Sequence, residues 1–327
     1  MTCFDAHSDI WTDVTDRRLR GETGVLRKHH LDRLQKGKVE GSIFVIWVDP
    51  PYTADYAART AQIMDCARAE MAELSRDDAF CIVRTYDEMM AAKAAGKIYI
   101  IIGVEGMAAI GDDLSGVDRY YDFGARHGML TWNEENALGA GASSGVSTGL
   151  KEAGKQAVRK MQEKGMLVDV SHLNEAGFWD ITKLSTRPII ASHSNCKALC
   201  DVPRNLTDDQ LRAIRDLDGV VGLNAFKEFV DPDPAKWTVE GLARHAAHMI
   251  DVMGIDHVGC GFDFFEFIDS YVAETVSDAA DPALAGMKDA SEIPNLFACF
   301  EKMGMSREEM EKIAFRNFQS VFKKAVG

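Results

Sequence analysis

Eight short apolar runs punctuate the chain, at residues 3–7, 42–48, 98–104, 128–131, 167–171, 188–191, 220–223 and 257–261. Most are continuous rather than alternating, which is the pattern of parallel strands covered on both faces. Segments with helical composition and punctuation lie between them. Residues 55–74 are rich in Ala, Met, Glu and Arg, and the segments 87–95, 151–164 and 239–253 run into Gly96, Gly165 and Gly254, each a C-terminal stop. Thr207-Asp208-Asp209-Gln210 and Ser306-Arg307-Glu308-Glu309 read as capping boxes, opening helices over 211–217 and up to Phe322. Repeated strand–helix alternation predicts an α/β fold, a closed (β/α)8 TIM barrel rather than an open sheet. Three stretches depart from the repeat: 17–33 is charged and irregular, 136–148 is a Gly-, Ala- and Ser-rich loop, and 264–294 is acidic with no clear strand. Long loops after strands are where barrel enzymes place lids and substrate walls. No break in composition divides residues 1–327, which read as one barrel domain.

Polar residues fall at the C-terminal ends of the runs. His7 and Asp9 close the first, Glu105 the third, His172 the fifth and His193 the sixth, while Asp263 follows the eighth. In a barrel those ends share one mouth, and that mouth carries the chemistry. Imidazole and carboxylate suit Zn²⁺ and similar ions. A His-x-Asp on one side, two histidines on the other and a carboxylate between predict a two-metal site. There a bridging water loses its proton near neutral pH and attacks, and a free carboxylate carries the proton to the leaving group. A single histidine at a strand end is more often a turn residue than a ligand; coincidence at six positions favours the metal. His245 and His248 read as a solvated helix face, and Cys196 and Cys200 as buried thiols rather than zinc ligands.

Composition narrows the partners. A formal charge of −14 repels phosphate backbones, so nucleic acid is not expected. No run approaches the roughly 18 apolar residues of a membrane span, and no basic, apolar leader opens the chain. With seven scattered cysteines, these features predict a cytoplasmic protein with reduced thiols and no membrane partner.

Several collinear motifs resemble a known family. Asp5-Ala6-His7-Ser8-Asp9, Gly103-Val104-Glu105-Gly106, Leu130-Thr131-Trp132-Asn133, Asp169-Val170-Ser171-His172, Ala191-Ser192-His193-Ser194-Asn195, Arg204-Asn205 and Gly261-Phe262-Asp263-Phe264 are similar to the motifs of the membrane (renal) dipeptidases, in the amidohydrolase superfamily. The resemblance implies two zinc ions, one held by His7, Asp9 and Glu105 and the other by Glu105, His172 and His193. It makes Glu105 the bridge, Asp263 the proton carrier and Arg204 the grip on the substrate's terminal carboxylate, a task suited to a forked guanidinium. It also implies a small-molecule partner, a dipeptide that can carry a D-residue at its C-terminal position, and a homodimer. Trp132 stands where the best-known mammalian members carry a His that contacts the substrate carbonyl. Phe265 and Glu266 replace the usual Asp-Gly, and Phe315-Arg316 a Gly-Gly. Trp132 and Asn224 join Arg204 as substrate-binding candidates. These departures keep open a second substrate class: another amide, an N-acyl amino acid or a lactone.

Overall fold

The structure is a computed structural model that describes residues 1–74, 77–268 and 282–327. The described residues form nine strands: β1 (Cys3–Ser8), β2 (Val39–Trp47), β3 (Phe80–Ile82), β4 (Ile98–Glu105), β5 (His127–Met129), β6 (Leu167–Asp169), β7 (Ile189–Ala191), β8 (Val220–Leu223) and β9 (Val258–Cys260). Every ladder between them is parallel. The hydrogen-bonded order is β1-β2-β4-β3 in one sheet and β5-β6-β7-β8-β9 in the other. β4 divides its outer edge: Phe80 of β3 pairs with Ile98 at its start, and the bridge from Ile102 to Ala125 leads into β5 near its end.

No ladder joins β9 to β1 among the described residues, so the barrel is not closed by backbone pairing. A side chain spans the seam instead: Asp5 Oδ1 accepts from the Phe262 amide at 2.8 Å. The strand tips are drawn in closely there. A Cβ at Gly261 would stand 1.7 Å from the Ser192 carbonyl oxygen, and one at Gly222 would stand 1.9 Å from it. Only glycine permits that approach, and it brings the ends of β7, β8 and β9 to one mouth.

The eight apolar runs each become a strand. β3 is the addition. Its three residues come one position after Asp77-Asp78, and Cys81 and Ile82 are only half-buried, so its pattern is too short to separate from a turn. Both capping boxes form, at Thr207 with Gln210 and at Ser306 with Glu309. The stretch 17–33 is not irregular. It holds the end of the helix Ile10–Leu19, a π-turn over Leu26–His30 and the start of the helix Leu31–Lys36. Among its charges, Arg17 and Arg18 are held in ion pairs, with Asp13 at 2.8 Å and with Glu70, while Arg20, Arg27 and Lys28 stay exposed. Residues 136–148 are a loop as expected. Of 264–294, residues 269–281 lie outside the described residues, and Ile293–Lys302 is helical. No helix of the described residues is long and apolar enough to cross a membrane.

His245 is buried, not on a solvated face. Its Nδ1 accepts from the Cys196 amide at 3.0 Å and its Nε2 donates to the Val230 carbonyl at 2.7 Å. Both bonds require neutral imidazole, and burial holds its pKa down at about 4. An unfolded histidine titrates near 6.5. The unfolded chain therefore binds the extra proton between those values, and stability is lost as pH falls through that window. In His245→Gln, the slope of unfolding free energy against pH between 6.5 and 4 is expected to be shallower by close to one proton. Urea titrations at several pH values check this, and parallel slopes for the two proteins contradict it. His248 is half-exposed and pairs with Asp208 at 2.7 Å. Cys196 and Cys200 are buried free thiols.

Candidate metal centre

All six strand-end residues reach one mouth. His7 lies in β1, and Asp9 takes the N-cap position of the helix Ile10–Leu19 without making a side-chain cap, which leaves its carboxylate to the cavity. Glu105 ends β4. His172, His193 and Asp263 follow β6, β7 and β9 within two or three residues. His172 and Asp263 have φ of 66° and 60°. A left-handed non-glycine residue costs of the order of 1–3 kcal/mol and persists only where its surroundings fix it. Here the His172 carbonyl accepts from Ala142 N at 2.6 Å, and Asp263 Oδ2 accepts from Asn224 Nδ2 at 3.1 Å.

Glu105 sits between two groups of side chains. Its Oε2 is 3.3 Å from His7 Nε2, while its Oε1 is 2.8 Å from His172 Nε2 and 3.7 Å from His193 Nε2. Asp9 Oδ2 and Asp263 Oδ1 lie 3.5 and 3.8 Å from His7 Nε2. Two trios have ligand atoms mutually within 4.8 Å: His7, Glu105 and His193, and His7, Asp9 and Asp263. The outer ring nitrogens of His172 and His193 are occupied, while that of His7 is buried without a partner. His172 Nδ1 bonds to Asn133 Oδ1 at 3.0 Å and His193 Nδ1 to Ser192 Oγ at 2.7 Å, which turns both Nε2 atoms inward.

The electrostatics ask for a cation. Burial opposes charge on His7, but Glu105 and Asp9 outweigh it and hold the imidazole protonated well above its ordinary range. Burial pushes Glu105 up to about 8, helped by Asp9 and opposed by His7. His172 and His193 are pushed well below the usual range by burial, with Arg204 and His7 adding to it, so both rings are neutral, with their Nε2 atoms 2.9 Å apart. His7 Nε2 and Asp9 Oδ1 are buried with no hydrogen-bond partner. Crowded carboxylates, converging ring nitrogens and the unpaired oxygen of Asp9 fit divalent metal, which would replace the proton on His7.

Two more carboxylates lie beneath this layer. Asp169 Oδ1 accepts from Ser171 N at 2.8 Å and Ser192 N at 3.1 Å, while its Oδ2 faces His127 Nε2 at 2.7 Å. It thus ties together the tips of β6 and β7 just ahead of His172 and His193. Asp5 does the same for β1 and β9, through His7 N at 3.4 Å and Phe262 N at 2.8 Å. Sequence reasoning gave Asp5, Asp169, Asn133 and Ser192 no role. The one signal was their place inside the motifs: Asp5, Asp169 and Ser192 stand one to three residues before a histidine, and Asn133 follows Trp132.

The centre opens into a cavity of about 240 Å³, also lined by Trp47, Trp132, Phe226, Phe229, Phe265 and Arg204. Arg204 is 6% exposed. Its Nη2 donates to the His193 carbonyl at 3.2 Å and its Nε has no partner. No carboxylate of the described residues pairs with it, in contrast to buried Arg59, which holds Asp49 and Asp16, each at 2.9 Å. A buried guanidinium without a counter-charge is costly unless an anion joins it. Trp132 is half-buried against Trp47. Asn224 is fully buried behind Asp263 and also caps Phe226 N through Oδ1 at 2.6 Å.

Known proteins resemble the chain along its whole length. The profile of the membrane dipeptidase family, peptidase family M19, matches residues 1–326. An uncharacterized dipeptidase of Schizosaccharomyces pombe is 29% identical over 325 residues, covering 95% of this chain and 75% of its own. Among solved structures, dipeptidase AC, an M19 metallopeptidase, superposes with a TM-score of 0.86 at 26% identity over 100% of this chain and 99% of its own. A metallopeptidase from Rhodobacter sphaeroides, liganded with a phosphinate mimic of the dipeptide L-Ala-D-Ala, gives 0.84 at 28% identity, covering 99% of each chain. The chain belongs to the membrane dipeptidase family, peptidase family M19, and is a metal-dependent dipeptidase of TIM-barrel type.

Proposed function

We propose that the chain is a dinuclear zinc dipeptidase. His7, Asp9 and Glu105 hold one ion, and Glu105, His172 and His193 hold the other. The observation that carries this reading is Glu105, which turns one oxygen to His7 and the other to His172 and His193. When bound, two such ions supply Lewis acidity and an acidified water.

The chain's own groups do the rest. Arg204 forks onto the free carboxylate of the dipeptide, relieving its own unpaired burial. Asp263 takes a proton during attack and passes it to the departing amine. Burial raises its carboxyl above the ordinary range, with His7 opposing, which brings it nearer to the pH at which a proton is both taken and released. Asn224 fixes the direction of that carboxylate from behind. Trp132 forms a wall beside the scissile bond and, unlike a histidine, carries no titratable proton. The phosphinate mimic bound by the Rhodobacter sphaeroides relative ends in D-Ala, which supports acceptance of a D-residue at the C-terminal position here.

Zinc-loaded protein is expected to hydrolyse members of a panel of L,L and L,D dipeptides. Turnover of none of them removes the substrate part of the proposal. Chelation is expected to abolish turnover, and added Zn²⁺ to restore it; activity that survives exhaustive chelation contradicts the metal part.

A further inference from the structure

We propose that the cavity selects a large apolar side chain on the residue that supplies the scissile carbonyl. This rests on the dipeptidase reading above and adds the identity of its acyl side. Five aromatic residues make one continuous wall. Ring centres are 5.4 Å apart for Trp132 and Trp47, 6.4 Å for Trp47 and Phe265, 5.9 Å for Phe265 and Phe226, and 4.8 Å for Phe226 and Phe229.

The two ends of the wall differ. Trp47 is the register partner of Glu105 across the β2–β4 ladder. Trp132 precedes Asn133, which holds His172, and its ring lies 6.2 Å from the His172 ring. Phe265 follows Asp263 by two residues. These three form a corner over the reacting groups. Phe229 marks the other end, with the Arg204 guanidinium 5.7 Å from its ring centre.

A dipeptide with its carboxylate on Arg204 and its carbonyl beside Glu105 and His172 spans these two ends with its C-terminal residue. Its remaining residue lies beyond the scissile bond, against Trp47, Trp132 and Phe265. The only polar groups on those three side chains are two indole N–H donors. An acidic or short polar side chain placed there loses water without gaining a full set of partners, whereas a leucine or phenylalanine side chain buries apolar surface against aromatic faces. The corner is also fixed in place. Glu266 ion-pairs with Arg33 at 3.1 Å, and Arg33 stacks 4.8 Å from the Phe267 ring, which anchors the segment carrying Phe265.

The test uses zinc-loaded protein and X-Gly dipeptides with X as Gly, Ala, Leu, Phe or Asp, so that C-terminal stereochemistry does not enter. Leu-Gly and Phe-Gly are expected to exceed Ala-Gly in kcat/KM by about 10- to 100-fold, with Asp-Gly slowest. In Phe265→Ala the Leu-to-Ala ratio is expected to shrink about tenfold. Calorimetric titration of metal-free protein should show tighter binding of Leu-Gly than of Gly-Gly. Good turnover with equal rates across X, or a preference for Gly or Asp, overturns this inference and leaves the dipeptidase reading standing. Turnover of no dipeptide of any kind overturns that reading, and this inference with it.

Discussion

Asp263→Asn is expected to lower kcat by about 10²- to 10⁴-fold, the usual weight of a positioned proton carrier. The substitution keeps the shape of the side chain and removes its ability to accept a proton. KM should change little, because Asp263 bonds to Asn224 and forms no ion pair with Arg204. Metal content separates this role from another. The oxygens of Asp263 also converge with ligand atoms of His7 and Asp9. A proton carrier can be replaced by Asn with both ions retained, whereas a ligand whose replacement empties a site acts through the metal. A kcat within a few-fold of wild type, at full metal content, contradicts the assignment.

Arg204→Ala carries the second large effect. Truncating one partner of a buried charge pair costs about 2–5 kcal/mol, which is roughly 30- to several-thousand-fold in kcat/KM. The loss should fall on substrates with a free C-terminal carboxylate. Dipeptide amides, which lack that charge, should be hydrolysed slowly by wild type and hardly more slowly by the variant. Arg204→Lys should recover little, since a point charge does not reproduce the fork and does not stack on Phe229 in the same way. Equal losses for acids and amides mean that Arg204 supports the fold of the mouth through His193 O rather than the substrate.

The strands and the polar residues at their ends were legible because both are one-dimensional signals. A buried parallel strand is a continuous apolar run, and in a barrel the end of a strand is a place in space. What stayed hidden depends on neighbours that sequence order does not give. Asp5 reaches the Phe262 amide across 257 positions, and Asp169 joins two strand tips, so neither looks different from any other acidic residue. Trp47 reads as one more apolar strand residue, and only its register opposite Glu105 makes it part of the cavity wall. The helix Ile10–Leu19 begins directly after Asp9, the last residue of the motif, with β-branched Thr12, Val14 and Thr15 against it; burial of Ile10, Trp11 and Val14 overrides that weak propensity. His245 shares its spacing with a surface face, and its two backbone partners become visible only in three dimensions.

Metal content measured on the purified chain, dialysed and reconstituted with Zn²⁺, tests the central claim most directly. The proposed centre, in which Glu105 serves both groups of ligands, predicts two ions per chain in wild type and fewer than two in Glu105→Ala. Saturation of folded wild-type protein at one ion, or at none, contradicts the bridged centre.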